Sequence, residues 1–115
     1  MLLPNIQAAT IDRKKLVDYV LNPRHAEGRH KARVFQSALG ITANDGDWLA
    51  STILAGVQKT EAVLQSTTNW GRLYRVEMEI VRGQRCAKVR TGWLCTAEGA
   101  RLVTCFVVGG CDETA

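Results

Sequence analysis

A chain of 115 residues has room for one domain and one core but not for two. Its 46% hydrophobic and 23% charged residues match an ordinary globular protein and exclude global disorder. No apolar run approaches the ~20 residues of a membrane span, and the amino terminus MLLPNIQAAT lacks a signal-peptide pattern, so the expectation is a cytoplasmic protein with no membrane partner.

Leu3 to Ile11 is expected to add a short edge strand, within a stretch 1–11 ahead of a helical part 12–65 and an antiparallel sheet 72–108, all in one domain with a tail 109–115. Asp12 is a good N-cap for a first helix, in which Leu16, Tyr19 and Val20 supply the 3–4 apolar spacing. Asn22-Pro23 stops it, because a residue before proline avoids the helical region. A second helix is predicted over Arg29–Leu39, with Ala32, Phe35 and Ala38/Leu39 inward and Gly40 as its left-handed stop. A third is predicted from Trp48 to Gln65 on the stripe Leu49, Ile53, Gly56/Val57, Thr60 and Leu64, and the polar run Ser66–Gly71 then breaks the pattern.

The period then becomes two. Leu73–Val81 and Arg85–Thr96 alternate apolar with charged residues, and Leu102–Val108 is apolar on both faces. A two-residue turn at Gly83-Gln84 makes paired positions sum to 167. Tyr74 then faces Trp93 and Val76 faces Thr91, while Glu77–Arg90 and Glu79–Lys88 form complementary pairs on the opposite face. A one-residue slip would destroy both patterns. A turn at Glu98-Gly99 would make the next hairpin sum to 197, with Leu102, Thr104 and Phe106 inward and Val103, Cys105 and Val107 outward. That outer apolar strand would favour a homodimer through the last strand. The fold class is α+β: two or three amino-terminal helices on one face of a three- to four-stranded antiparallel meander.

Cys86, Cys95, Cys105 and Cys111 show no C-x-x-C spacing, and both histidines lie more than fifty residues upstream of them. We therefore expect no zinc, no other metal, no cofactor and no disulfide.

The net charge of +4 is concentrated in two segments. Arg13–Arg33 carries +5 and both histidines, and Arg72–Arg101 carries +4, with −2 between them. If the basic segments meet they form a surface suited to phosphates, and hence to RNA or an acidic protein. A metal-independent ribonuclease needs a base for the 2′-OH, an acid for the leaving oxygen and cations for the phosphorane. His25, His30 and Glu77 are the candidate proton carriers, and Arg29, Lys31, Lys88 and Arg90 the candidate phosphate ligands. Each has a plainer reading: His25 as a loop-fixing group, Arg29 as a donor to backbone carbonyls, Lys31 as a solvated helix residue, and the charge pairs as ordinary cross-strand contacts. Trp48 and Trp70 are candidates for stacking on bases.

The run Asn22–Phe35, NPRHAEGRHKARVF, followed by Ala38-Leu39-Gly40, resembles the leading motif of the DUF6883 family of small bacterial domains of unassigned function. Arg90-Thr91-Gly92-Trp93 and Arg101-Leu102-Val103-Thr104 resemble its later blocks, and Leu3-Pro4-Asn5 its start. The chain departs from the family at His30, a variable position, and at Cys105-Phe106-Val107, where an aromatic-proline ending is common. Helices followed by a small antiparallel sheet also resemble the barnase–EndoU–colicin–RelE group of ribonucleases and toxin domains, and Thr91-x-Trp93 is similar to the Ser-x-Trp element of its colicin-D-like members. That likeness implies a toxin-like ribonuclease; a non-catalytic binding or oligomerising module with a basic surface is the alternative. In the 167 register Thr91 and Trp93 face the helices while Glu77 and Arg90 face away, so one open site cannot hold all four.

Overall fold

The computed structural model describes residues 1–111. A 3-10 turn, Ile6–Ala8, leads into strand β1 (Ala9–Thr10). Helix α1 (Arg13–Lys15) follows, capped by the Asp12 carboxylate, which accepts from the backbone N–H groups of Lys14 and Lys15. It passes into a π-helical turn, Leu16–Val20. Helix α2 (Arg29–Leu39) closes on Gly40 at φ +67°, as expected from the sequence. A 3-10 turn (Ala43–Asp45) opens α3 (Gly46–Val57), and strands β2 (Ala62–Thr68), β3 (Gly71–Arg82), β4 (Arg85–Thr96) and β5 (Gly99–Gly110) complete the described chain.

The strands lie in the order β1-β5-β4-β3-β2. Only β1 runs parallel to its neighbour, so the sheet is mixed and five-stranded among the described residues, wider than the predicted meander. The edge strand expected near the amino terminus exists, but as two residues against Ala100 and Arg101. The helices cover one face. Trp93, Phe35, Leu49, Ile53, Val76 and Val89 are fully buried between the layers.

The third helix is shorter than predicted. It stops at Val57, and Ala62–Thr68 is a strand paired with β3 instead of a last helical turn and a polar loop. Val63, Thr67 and Thr68 are β-branched and favour the extended chain. The local 3.6-residue spacing of Thr60 and Leu64 yields to the ladder that β3 offers.

The β3–β4 hairpin has the predicted register throughout, from Arg72–Cys95 to Arg82–Arg85, with Tyr74 opposite Trp93 and Glu77 opposite Arg90. The β4–β5 register does not. Thr96 pairs with Gly99, so the turn is Ala97-Glu98 and the positions sum to 195. Gly99 serves a different need: a Cβ there would sit 2.8 Å from the carbonyl oxygen of Ala8, so glycine admits the amino-terminal segment rather than making the turn. Two bulges then add one residue each to β5, at Val103 and at Val108, and the sum becomes 196 and finally 197. Cys105 is therefore buried and Val107 packs on the core, while Thr104 and Phe106 point to the open face. The outward Val103–Cys105–Val107 patch that would have favoured a homodimer does not form, because Cys105 and Val107 face the core.

Cys86 and Cys111 are joined by a disulfide, with Cα atoms 5.6 Å apart, contrary to the expected four free thiols. The register at the far end of β5 explains it: Ala87 faces Gly110, which leaves Cys86 opposite Cys111. Cys95 and Cys105 are free and buried, and burial pushes the Cys105 thiol up to about 12. Residues 112–115, the end of the predicted tail, lie outside the described residues.

Candidate functional site

The loop between the π turn and α2 is built around two side chains. Asn22 accepts from the backbone N–H of Arg24 at 2.9 Å and donates to the Asp18 carbonyl at 3.2 Å. The Nδ1 atom of His25 accepts from the backbone N–H groups of Glu27 (3.0 Å) and Gly28 (3.1 Å). Gly28 lies so close to the Tyr19 carbonyl that a Cβ would fall 1.9 Å from its oxygen, so the motif needs glycine there. The loop thus folds back onto the π turn, and the His25 ring rests on Tyr19 with centroids 4.5 Å apart.

Two N–H donors at Nδ1 place the imidazole proton on Nε2. His25 is then both the loop-fixing group of the plain reading and a donor aimed by that loop. In this state its free nitrogen offers a hydrogen, not a lone pair.

Lys31, on the first turn of α2, lies at the edge of β5. Its Nζ donates to Thr104 Oγ1 at 3.0 Å and stands 5.4 Å from the ring centres of both Tyr19 and Phe106. The Arg90 guanidinium stands 5.8 Å from the same Phe106 ring and donates through Nε to Glu77. His25, Tyr19, Lys31, Phe106, Arg90 and Glu77 therefore form one chain of contacts from the loop, around the β5 edge, onto the open sheet face. Four of the seven candidate residues, His25, Lys31, Arg90 and Glu77, belong to it. Lys88 is two residues from Arg90 on the same side of β4, opposite Glu79. Arg29 and His30 are exposed beside Lys31 on α2, with no side-chain partner among the described residues.

Chemically, the cluster presents two cations over one aromatic ring, a fixed Nε2–H and a carboxylate. Arg90 uses Nε for Glu77, which leaves its two terminal nitrogens free among the described residues for a bidentate contact. The sequence did not single out Tyr19, Thr104 or Phe106 for this site. An unbroken β5 places Phe106 inward whether the turn is Glu98-Gly99 or Ala97-Glu98; the bulge at Val103 turns it outward, and bulges in β5 carry no comparable sequence signal.

Thr91 and Trp93 are sealed in the core, on the opposite side from Glu77 and Arg90. Trp93 Nε1 donates to Thr91 Oγ1, which donates to the Val76 carbonyl, both at 2.8 Å. Trp48 stacks on the Arg82 guanidinium at 4.9 Å, and Arg82 pairs with Asp45 at 3.0 Å. Trp70 is 77% exposed and lines a groove of about 430 Å³ with Leu94 and Arg101.

The family described as "Domain of unknown function (DUF6883)" matches residues 2–109. No curated protein matches the sequence. A solved structure with a similar fold is a contact-dependent growth inhibition toxin–immunity protein complex from Klebsiella pneumoniae 342, one chain of which aligns at a TM-score of 0.68 and 17% identity over 84% of this chain and 97% of that one.

Proposed function

This chain belongs to the DUF6883 family of domains of unknown function, and from that premise we propose that it is a toxin-like, metal-independent ribonuclease domain. The observation that carries the reading is the chain of contacts that links His25, Lys31, Arg90 and Glu77 through the rings of Tyr19 and Phe106. The likeness of fold to a chain of a toxin–immunity complex supports it. The net charge of +4 suits the partner that grips an anionic polymer more than the one that shields it.

Lys31 and Arg90 hold the scissile phosphate and stabilise the charge of the phosphorane. His25 donates an Nε2–H hydrogen bond to the leaving 5′-oxygen, which takes its proton from water as the P–O5′ bond breaks. Glu77 takes the 2′-OH proton, and Arg29, His30 and Lys88 contact flanking phosphates. An acidic protein partner that covers the same cations would silence the domain.

The test is incubation of the purified protein with labelled single-stranded RNA and with transfer RNA in excess chelator. Fragments ending in 2′,3′-cyclic phosphate, abolished by Arg90→Gln, are expected. Binding without cleavage would favour the non-catalytic module, and neither binding nor cleavage at low salt would overturn the assignment.

A further inference from the structure

At the other end of the open face, three ligand atoms from three separate segments converge: a carboxylate oxygen of Glu79 on β3, Sγ of Cys86 on β4, and Sγ of Cys111 just past β5, all within 4.8 Å of one another. The β3–β4 register puts Glu79 and Cys86 diagonally on one face, and the end of β5 brings Cys111 opposite Cys86. Glu79 faces Lys88 across the ladder yet makes no ion pair with it among the described residues, so its carboxylate is available. The remaining cysteines, Cys95 and Cys105, are buried and cannot compete.

We propose that the reduced form of this pair is a zinc site, in which Cys86, Cys111 and Glu79 supply three ligands and water the fourth. Two thiolates and one carboxylate suit Zn²⁺ better than Mg²⁺ or Ca²⁺, which demand oxygen ligands. The disulfide and the metal are mutually exclusive. A dithiol reductant breaks the S–S bond by giving two electrons and two protons, and is itself oxidised to a disulfide. Zinc then displaces both thiol protons into solvent. The site would hold β5 to the β3–β4 hairpin in a reducing environment, as the disulfide does in an oxidising one. It is independent of the ribonuclease reading.

The experiment uses the full chain, reduced with dithiol, freed of reductant without air, and titrated with zinc against a chromophoric chelator. The reduced protein should bind one zinc per chain and the oxidised protein none in competition with the chelator. Cys86→Ser should weaken binding by about a hundredfold or more, and Glu79→Gln by about tenfold, scaled from the strength of structural thiolate sites. Cys111→Ser lies beyond β5 and leaves every strand intact, so it serves as the second cysteine variant should Cys86→Ser fold poorly. Cobalt(II) gives an independent readout: a thiolate-to-metal charge-transfer band in the reduced wild type, diminished in either cysteine variant. Equal zinc affinity in reduced wild type and Cys111→Ser, or in reduced and oxidised protein, would overturn the proposal. An unchanged affinity in Glu79→Gln would overturn the assigned donor set.

Discussion

Lys31→Met is the most informative single change, because it removes the charge at the centre of the cluster and keeps the length of the side chain. The ammonium donates to Thr104 Oγ1 at 3.0 Å and contacts two rings at 5.4 Å. Each cation–π contact is worth about 0.5–1 kcal/mol, and the charged hydrogen bond to a hydroxyl about as much again. Methionine recovers part of this by packing on the same aromatic rings. The net cost to folding is therefore expected at about 1 kcal/mol, too little to unfold the domain. The cost to RNA binding is larger. A charge-assisted bond to phosphate contributes about 1.5–3 kcal/mol, so the affinity falls by roughly ten- to a hundredfold.

The assay is fluorescence anisotropy with a labelled single-stranded RNA over a series of salt concentrations. Loss of one phosphate contact should reduce the slope of log K against log salt by about 0.7. Lys59→Met is the control, since Lys59 is exposed just past α3 and touches none of the cluster. If Lys31→Met and Lys59→Met weaken binding equally, the affinity reflects net charge alone and the cluster is not a phosphate site. If neither changes the slope, RNA does not bind here.

Three further outcomes follow from the packing. Thiol titration of the unfolded, unreduced protein should find two free thiols, and reduction should lower stability in urea by up to about 3.5 kcal/mol, the chain-entropy value for a cross-link spanning 25 residues. Thr91→Val should cost about 1–3 kcal/mol in the same assay because it orphans the buried indole N–H of Trp93, whereas Thr91→Ser should cost less. The Arg82 guanidinium, helped by the backbone N–H of Thr42, holds the Asp45 carboxyl down at about 2 from an ordinary 3.8. The stabilisation is therefore complete above the higher value and is lost as pH falls through the lower one. Asp45→Asn should remove about 1 kcal/mol at neutral pH, after allowance for the solvent that reaches the pair, and flatten the acid limb of the stability profile.

The parts legible in the sequence were those where two independent patterns had to agree. The 167 register satisfied an apolar face and a charge-paired face together, and the β3–β4 ladder keeps it from end to end. Asp12, Gly40 and the Asn22–Gly28 loop were legible because cap and turn chemistry is local. The second hairpin was not, because a glycine beside Glu98 carries the pattern of a turn, whereas Gly99 is required by the close approach of Ala8, ninety-one positions upstream. The disulfide was hidden by the same ladder. The expected sum of 197 is wrong near the turn but right at the far end, where it sets Cys86 against Cys111. The Lys31 cluster required contacts between α2 and β5, which no local periodicity encodes.

The bulge at Val103 is what connects the fold to the site. Were the 195 register near the turn continued without it, Thr104 would face Thr91 and Phe106 would face Val89, both in the core. Cys105 and Val107 would then point into solvent. One inserted residue reverses all four. It fills the core with Cys105 and Val107, and sets Thr104 and Phe106 on the open face, where Lys31 and Arg90 meet them. An extra residue leaves the ladder locally incomplete, and here the Val103 carbonyl is taken by Lys15 Nζ at 3.2 Å, at the end of α1. Opposite, Gly92 makes room: a Cβ there would come within 3.0 Å of the Thr104 methyl. The basic first helix thus pins the bulge, the bulge turns Phe106 outward, and Phe106 gathers the two cations. The positive charge of the amino-terminal segment therefore has a structural use of its own: Lys15 and Lys31 hold the β5 edge in register, and the proposed phosphate site is built on that edge.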